Sequence, residues 1–271
     1  MQLHFIGTGS ILSDRLSSSA LIDGKLLIDT PNGSMKAMRR TGLDPKQVDI
    51  CLITHFHADH FADIIFLFLE QGIGRTRDSD LILVGPTGFA DHVEQLFELS
   101  YPGSWASTRP HVRPQFVELD TEHGGQWSGS GYHVRAYPMQ HAVPTLGYSI
   151  VDEAGARLGY TGDTSHCPSV DTLADESSVL VCDTTFPQQG RIGHMGLAEI
   201  EELAGRRPGK HFLTTHLSDD VPAPSRPNVI RPDDGQTFTI NAHGLVVSDK
   251  SVGDGKERGD GQHKKPVLGI L

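Results

Sequence analysis

Thr54-His55-Phe56-His57-Ala58-Asp59-His60 holds three histidines and an aspartate within six successive positions. It follows Ile50-Cys51-Leu52-Ile53, an apolar run of the kind that ends a buried strand. The chain must leave the sheet here, so the heptapeptide reads as a strand-to-helix loop. Neutral imidazole and carboxylate are the usual ligands of zinc and neighbouring metals. Four such groups in one loop can serve two ions, His55 and His57 on one, Asp59 and His60 on the other. The competing reading is a polar loop with chance histidines. With 15 His in 271 residues, isolated pairs are expected. A full His-x-His-x-Asp-His directly behind a strand is not.

Further out, three more ligand-type residues stand where a strand-like run gives way to a loop. His141 follows Tyr132–Tyr137, Asp163 follows Arg157–Tyr160, and His216 closes Phe212-Leu213-Thr214-Thr215. Rigid strands hold loop-borne ligands with the accuracy that a metal site needs. Any one of these taken alone is more often a surface or core residue. The heptapeptide, however, resembles the hallmark of the metallo-β-lactamase superfamily. That resemblance implies a later His, a bridging Asp and a last His, and His141, Asp163 and His216 match in order. It implies two divalent ions, Zn2+ first, with Mn2+ or Fe2+ as alternatives. His55, His57 and His141 would hold one ion and Asp59, His60 and His216 the other, with Asp163 between them.

Strand-like runs recur along the chain, first as hairpins and then alternating with helical patterns. The helical patterns are Ser34–Arg40, Phe61–Gln71, Gly88–Leu99 and Leu197–Ala204. Phe61–Gln71 is apolar nearly all round and so should be buried. The pattern fits an α/β fold, an αββα sandwich of two mixed β-sheets flanked by helices. Residues 1–248 are read as one domain of this kind. Beyond them, Asp249–Lys265 is rich in Gly, Asp and Lys without apolar periodicity, and 249–271 reads as a flexible C-terminal tail.

The net charge of −11 argues against nonspecific binding to a nucleic-acid backbone, which needs clustered Lys and Arg. It does not exclude a small phosphate ester, whose charge the metals would meet. Cys51, Cys167 and Cys182 are too few and too scattered for a disulfide framework. No apolar stretch approaches the length of a membrane span. The first residues enter a strand at once, without a basic region or cleavage site. The expectation is a cytoplasmic protein with no membrane partner; a homodimer is left open.

Within the superfamily, several stretches are similar to the ribonuclease Z and phosphodiesterase branch. They are Phe5-Ile6-Gly7-Thr8-Gly9-Ser10, Leu27-Ile28-Asp29-Thr30, Leu83-Val84-Gly85-Pro86-Thr87-Gly88 and the segment from His141 to Tyr148. Asp183-Thr184-Thr185-Phe186, followed by His194, resembles that branch's Glu-Ala-Thr-Phe…His box, with Asp183 in place of the Glu. A second departure is the interval from His141 to Asp163, where only 21 residues intervene. Ribonucleases Z carry a long basic tRNA-gripping arm there, and a short hairpin leaves no room for one.

The resemblance, with the missing arm and the net charge, implies a dinuclear-metal hydrolase that cleaves a small phosphodiester, most simply a cyclic nucleotide or cyclic sugar phosphate, through a metal-bound hydroxide. In it Asp59 would accept the water's proton, His194 would protonate the leaving oxygen, and Asp183 would orient His194. Two other readings stay open on the same metals. One is ribonuclease Z-type cleavage of RNA, which the charge and the missing arm disfavour. The other is hydrolysis of a lactone or acyl (thio)ester, which has no need of His194.

Overall fold

The computed structural model describes residues 1–246. Six strands come from the first half of the chain: β1 (Gln2–Gly7), β2 (Ser19–Ile22), β3 (Leu26–Ile28), β4 (Ile50–Leu52), β5 (Leu81–Pro86) and β6 (Pro114–Leu119). Seven follow: β7 (Gly125–Gly129), β8 (Tyr132–Met139), β9 (Thr145–Asp152), β10 (Arg157–Tyr160), β11 (Val179–Asp183), β12 (His211–Thr215) and β13 (Val229–Ile230). Two more, β14 (Thr237–Asn241) and β15 (Gly244–Val246), complete the set. The first sheet runs β15-β14-β1-β2-β3-β4-β5-β6 and the second β13-β12-β11-β10-β9-β8-β7. Both are mixed: β3 to β6 pair in parallel, as do β10 to β13, while the remaining pairs, β1 with β14 among them, are antiparallel.

Parallel strands are covered on both faces and need no alternation. Ile50, Cys51 and Leu52 of β4 are accordingly all buried. Antiparallel β8 alternates instead, burying Val134 and Ala136 while His133 and Arg135 face solvent. The two sheets face each other across a core that includes Phe5, Ile28, Leu52, Tyr148, Leu158 and Val181. Helices α1 (Ser34–Arg40), α2 (Ala58–Phe61), α3 (Ile64–Gly72), α4 (Phe89–Ser100) and α5 (Trp105–Val112) cover the outer face of the first sheet. Helices α6 (Pro168–Glu176) and α7 (Leu197–Gly205) cover the second. These are the four layers that the sequence pattern leads one to expect.

Three local differences from the sequence reading have physical causes. The helix expected over 61–71 is broken into α2 and α3. The end of β3 intrudes: Thr30 N–H donates to the His60 carbonyl at 2.7 Å, and the Asp63 N–H donates to the Thr30 carbonyl at 2.8 Å. Those groups are diverted from the helix ladder, so the ladder restarts at Asp63. The heptapeptide is therefore a loop only as far as His57, and Asp59 and His60 ride on the single turn of α2. Helix α5 was not anticipated because it buries only Trp105 and Val112 and contains Pro110. Helix α6 was also missed, although Val170, Leu173 and Ala174 face inward at helical spacing behind Pro168.

The segment 249–271, read as a tail, lies outside the described residues, as do the last two positions of the strand expected over 245–248.

Candidate metal centre

The ligand-type residues gather along one edge of the sandwich, where both sheets present strand ends. His55 and His57 follow β4, with Asp59 and His60 on α2 beyond them. His141 follows β8, Asp163 follows β10, and His216 follows β12 with φ +55°. A cross-layer hydrogen bond ties the two sides: Leu146 N–H of β9 donates to the Thr54 carbonyl at 2.9 Å. His55, His57 and His141 form one group able to hold an ion, and Asp59, His60 and His216 another. Asp163 lies between. One of its oxygens, Oδ2, stands 3.3 Å from Nε2 of both His60 and His216, 3.8 Å from Nε2 of His55 and 3.9 Å from Nε2 of His141.

The tautomers of four of these histidines follow from their outer partners. Asp29, wholly buried at the end of β3, accepts from His60 Nδ1 at 2.8 Å. It also accepts from the Thr54 hydroxyl at 2.9 Å and the Thr54 N–H at 2.8 Å. The Thr54 hydroxyl proton is thereby used, so its lone pair accepts from His55 Nδ1 at 3.0 Å. The Thr185 hydroxyl likewise donates to Asp183 at 2.7 Å and accepts from His216 Nδ1 at 2.8 Å. His141 Nδ1 donates to the Gly193 carbonyl at 2.9 Å. Each Nδ1 thus carries a proton directed outward, and each Nε2 turns a lone pair inward.

The inward atoms fit a metal. His60 Nε2 and His216 Nε2 are buried without a hydrogen-bond partner. Leaving such acceptors unpaired costs about 1–3 kcal/mol each, which a cation would offset. His57 Nδ1 lies 3.1 Å from His55 Nε2 and 3.2 Å from His141 Nε2, so three ring nitrogens converge on one point. Before an ion binds, protonated imidazoles hold the acids ionised, and an ion would take the place of those protons. Burial alone would raise Asp163, but His216, His60 and His55 around it bring it well below the usual carboxylate range. Burial likewise opposes ionisation of Asp59, yet His216 and His60 bring it down to about 2.

His194 stands beside this cluster, its ring stacked on His216 with centroids 5.0 Å apart. Its Nδ1 is 2.9 Å from Oδ2 of Asp183, which is wholly buried. Asp183 also accepts from the N–H groups of Thr164 and Thr185. Burial would lower the His194 pKa, but the hydrogen bond and charge of Asp183 outweigh it and raise the pKa. The structure thus brings together all nine residues singled out in the sequence. Asp29, Thr54, Thr185 and Gly193 were not given a site role there. The signal for the first two was adjacency: an acid directly after the apolar run Leu26-Leu27-Ile28, and a threonine directly before His55.

Residues 25–217 match the model of the β-lactamase superfamily domain. The chain belongs to this superfamily. It is a metallo-β-lactamase-fold hydrolase, and its His/Asp clusters are able to hold metal ions. Among curated relatives, ribonuclease Z of Metallosphaera sedula is 24% identical over 271 residues, covering 80% of this chain and 88% of that one. Ribonuclease Z of Mycobacterium marinum is 27% identical over 249 residues, covering 82% and 87%. Among solved structures, the short form of human tRNase Z aligns with a TM-score of 0.73 at 21% identity, covering 89% of this chain and 99% of that one. A diphosphatase of the PhnP family aligns with a TM-score of 0.66 at 20% identity, covering 89% and 98%. At that identity the two structures speak for the fold. Among the described residues no helix is long and apolar enough to cross a membrane.

Proposed function

We propose that this hydrolase cleaves a small phosphodiester, most simply a cyclic nucleotide or cyclic sugar phosphate, on two divalent ions. The observation that carries this reading is the connection between His141 and Asp163. It consists of β9, a turn closed by Asp152, and β10. Nothing in it extends from the body of the protein to grip a folded RNA. The charge of −11 points the same way, because RNA binding rests on Lys and Arg contacts that release counterions.

His55, His57 and His141 would hold one ion and Asp59, His60 and His216 the other, with Asp163 between them. The imidazole and carboxylate donors suit Zn2+ first, and also Mn2+ or Fe2+. Two such ions supply Lewis acidity at the phosphoryl oxygen and make a water acidic near neutral pH. Asp59, ionised by its histidine neighbours, would take the proton of the attacking water. His194 supplies a proton from Nε2 to the leaving oxygen, its Nδ1–H held by Asp183. Cleavage of RNA is the second reading, favoured by the ribonuclease Z relatives themselves.

The test compares kcat/KM on cyclic nucleotides, a pre-tRNA and an acyl-homoserine lactone at equal metal loading. The small phosphodiester should lead by at least about tenfold, the usual margin of one good contact. A lead of that size for pre-tRNA would make this chain an RNA endonuclease. A lead for the lactone would move the chemistry to acyl carbon.

A further inference from the structure

Beside the centre lies a cavity of about 290 Å³ lined by Phe56, His57, Thr87, His92, Val143 and Pro144. His57 joins the two. Its Nδ1 faces His55 and His141, and its ring forms part of the cavity lining. Phe56 and His92 are stacked, with centroids 4.1 Å apart and planes 18° from parallel. Phe61 and Phe89 back Phe56 at 5.2 Å and 5.9 Å, so the aromatic wall is fixed from behind. The lining is mainly ring and aliphatic surface, the composition of a small-ligand pocket. Its volume is at the low end for such pockets and suits one ring system.

The wall also carries a directional polar group. His92 Nδ1 lies 2.8 Å from the Gly88 carbonyl and so donates to it. In the neutral ring Nε2 is then left as an acceptor. Thr87 donates its hydroxyl to the Leu119 carbonyl at 3.3 Å, which leaves its oxygen free to accept.

The position of the cavity tells which part of an ester it meets. The His141 ring has its centroid 5.0 Å from that of His57, which lines the cavity, and 4.9 Å from that of His194, the acid. In an in-line displacement the leaving oxygen departs toward the acid, and the substituent that stays on phosphorus lies off that axis. We propose that the Phe56–His92 cavity is the subsite for the retained organic group of the ester, and that it takes a single planar ring. This rests on the phosphodiester reading above. The ring is an aryl group or a nucleobase, and the acceptors of His92 and Thr87 favour a ring that bears an N–H donor.

Three esters with the same leaving group separate the cases: methyl p-nitrophenyl phosphate, bis(p-nitrophenyl) phosphate and thymidine 5′-(p-nitrophenyl) phosphate. The wild type should favour the two ring-bearing esters by about tenfold or more in kcat/KM, mostly through KM. Val143→Trp, which fills the cavity, should bring that preference close to unity. His92→Ala, at an exposed position that the fold tolerates, should cut it several-fold, most for the thymidine ester. A preference that survives both substitutions, or its absence in the wild type, overturns the subsite. If none of the three is turned over, the phosphodiester reading fails, and calorimetry of the zinc-supplemented protein decides the subsite separately. Phenylphosphonate should then bind about tenfold tighter than methylphosphonate in the wild type but not in Val143→Trp. Equal affinities in the wild type would overturn it.

Discussion

Asp29 and His60 share no solvent: the carboxylate is wholly buried, the imidazole is 1% exposed, and Oδ2 meets Nδ1 at 2.8 Å. The same carboxylate reaches His55 through the Thr54 hydroxyl. One acid thus orients a histidine from each of the two ligand groups. Its backbone sits at φ +58°, a conformation that Asp and Asn tolerate better than most residues.

Asp29→Asn keeps that backbone and the side-chain shape but replaces one acceptor oxygen by an NH2 group. In place of Oδ2 the NH2 faces both His60 Nδ1–H and the Thr54 hydroxyl, and in place of Oδ1 it faces the Thr54 N–H. Metal affinity should fall about 10–100-fold while the protein stays folded. Competition against a chromophoric chelator measures this directly. An affinity equal to wild type would mean that Asp29 holds the strand end and nothing more.

Metal removal should also cost stability. The lone pairs of His60 and His216 have no hydrogen-bond partner to return to when the ions leave. An ion present at a hundred times its dissociation constant adds about 2.7 kcal/mol, so a chelator should lower Tm by about 5–10 °C for a chain of this size. Elemental analysis should find about two divalent ions per chain. No bound metal, together with a Tm that chelator leaves alone, would remove the metal centre.

His194→Ala separates proton donation from metal binding. On an ester with a poor leaving group, turnover should drop by about 10²–10⁴-fold with metal content unchanged. On p-nitrophenyl esters the loss should be much smaller, because p-nitrophenolate leaves without a proton. Equal losses on both would take His194 out of the acid role.

What could be read in the sequence was what lies contiguous in it. His55, His57, Asp59 and His60 share one heptapeptide, and β4 announces itself by three apolar residues in a row. The Asp183–His194 contact was legible only through resemblance, since an acid and a histidine so far apart have no pattern of their own. The outer partners were harder still. Asp29 acts on His60 because β3 and β4 lie side by side, and Gly193 acts on His141 because two loops meet. The gap between α2 and α3 was invisible for a related reason. Its cause is a hydrogen bond from Thr30, outside the helical segment. Gly193 itself is fixed twice over, by φ +79° and by His141 Nδ1, which a Cβ would meet at 2.7 Å.

The division of the ligands between the sheets also sets an order of assembly. In the proposed ligand set the heptapeptide would leave the ribosome with four donors, two for each ion, long before His141, Asp163 and His216 are made. A nascent chain could therefore catch an ion early but grip it only at half strength. Full coordination waits until β8, β10 and β12 have docked. On that ligand set, tight metal retention would be a late checkpoint of folding, reporting that the second half of the protein has arrived and closed on the first.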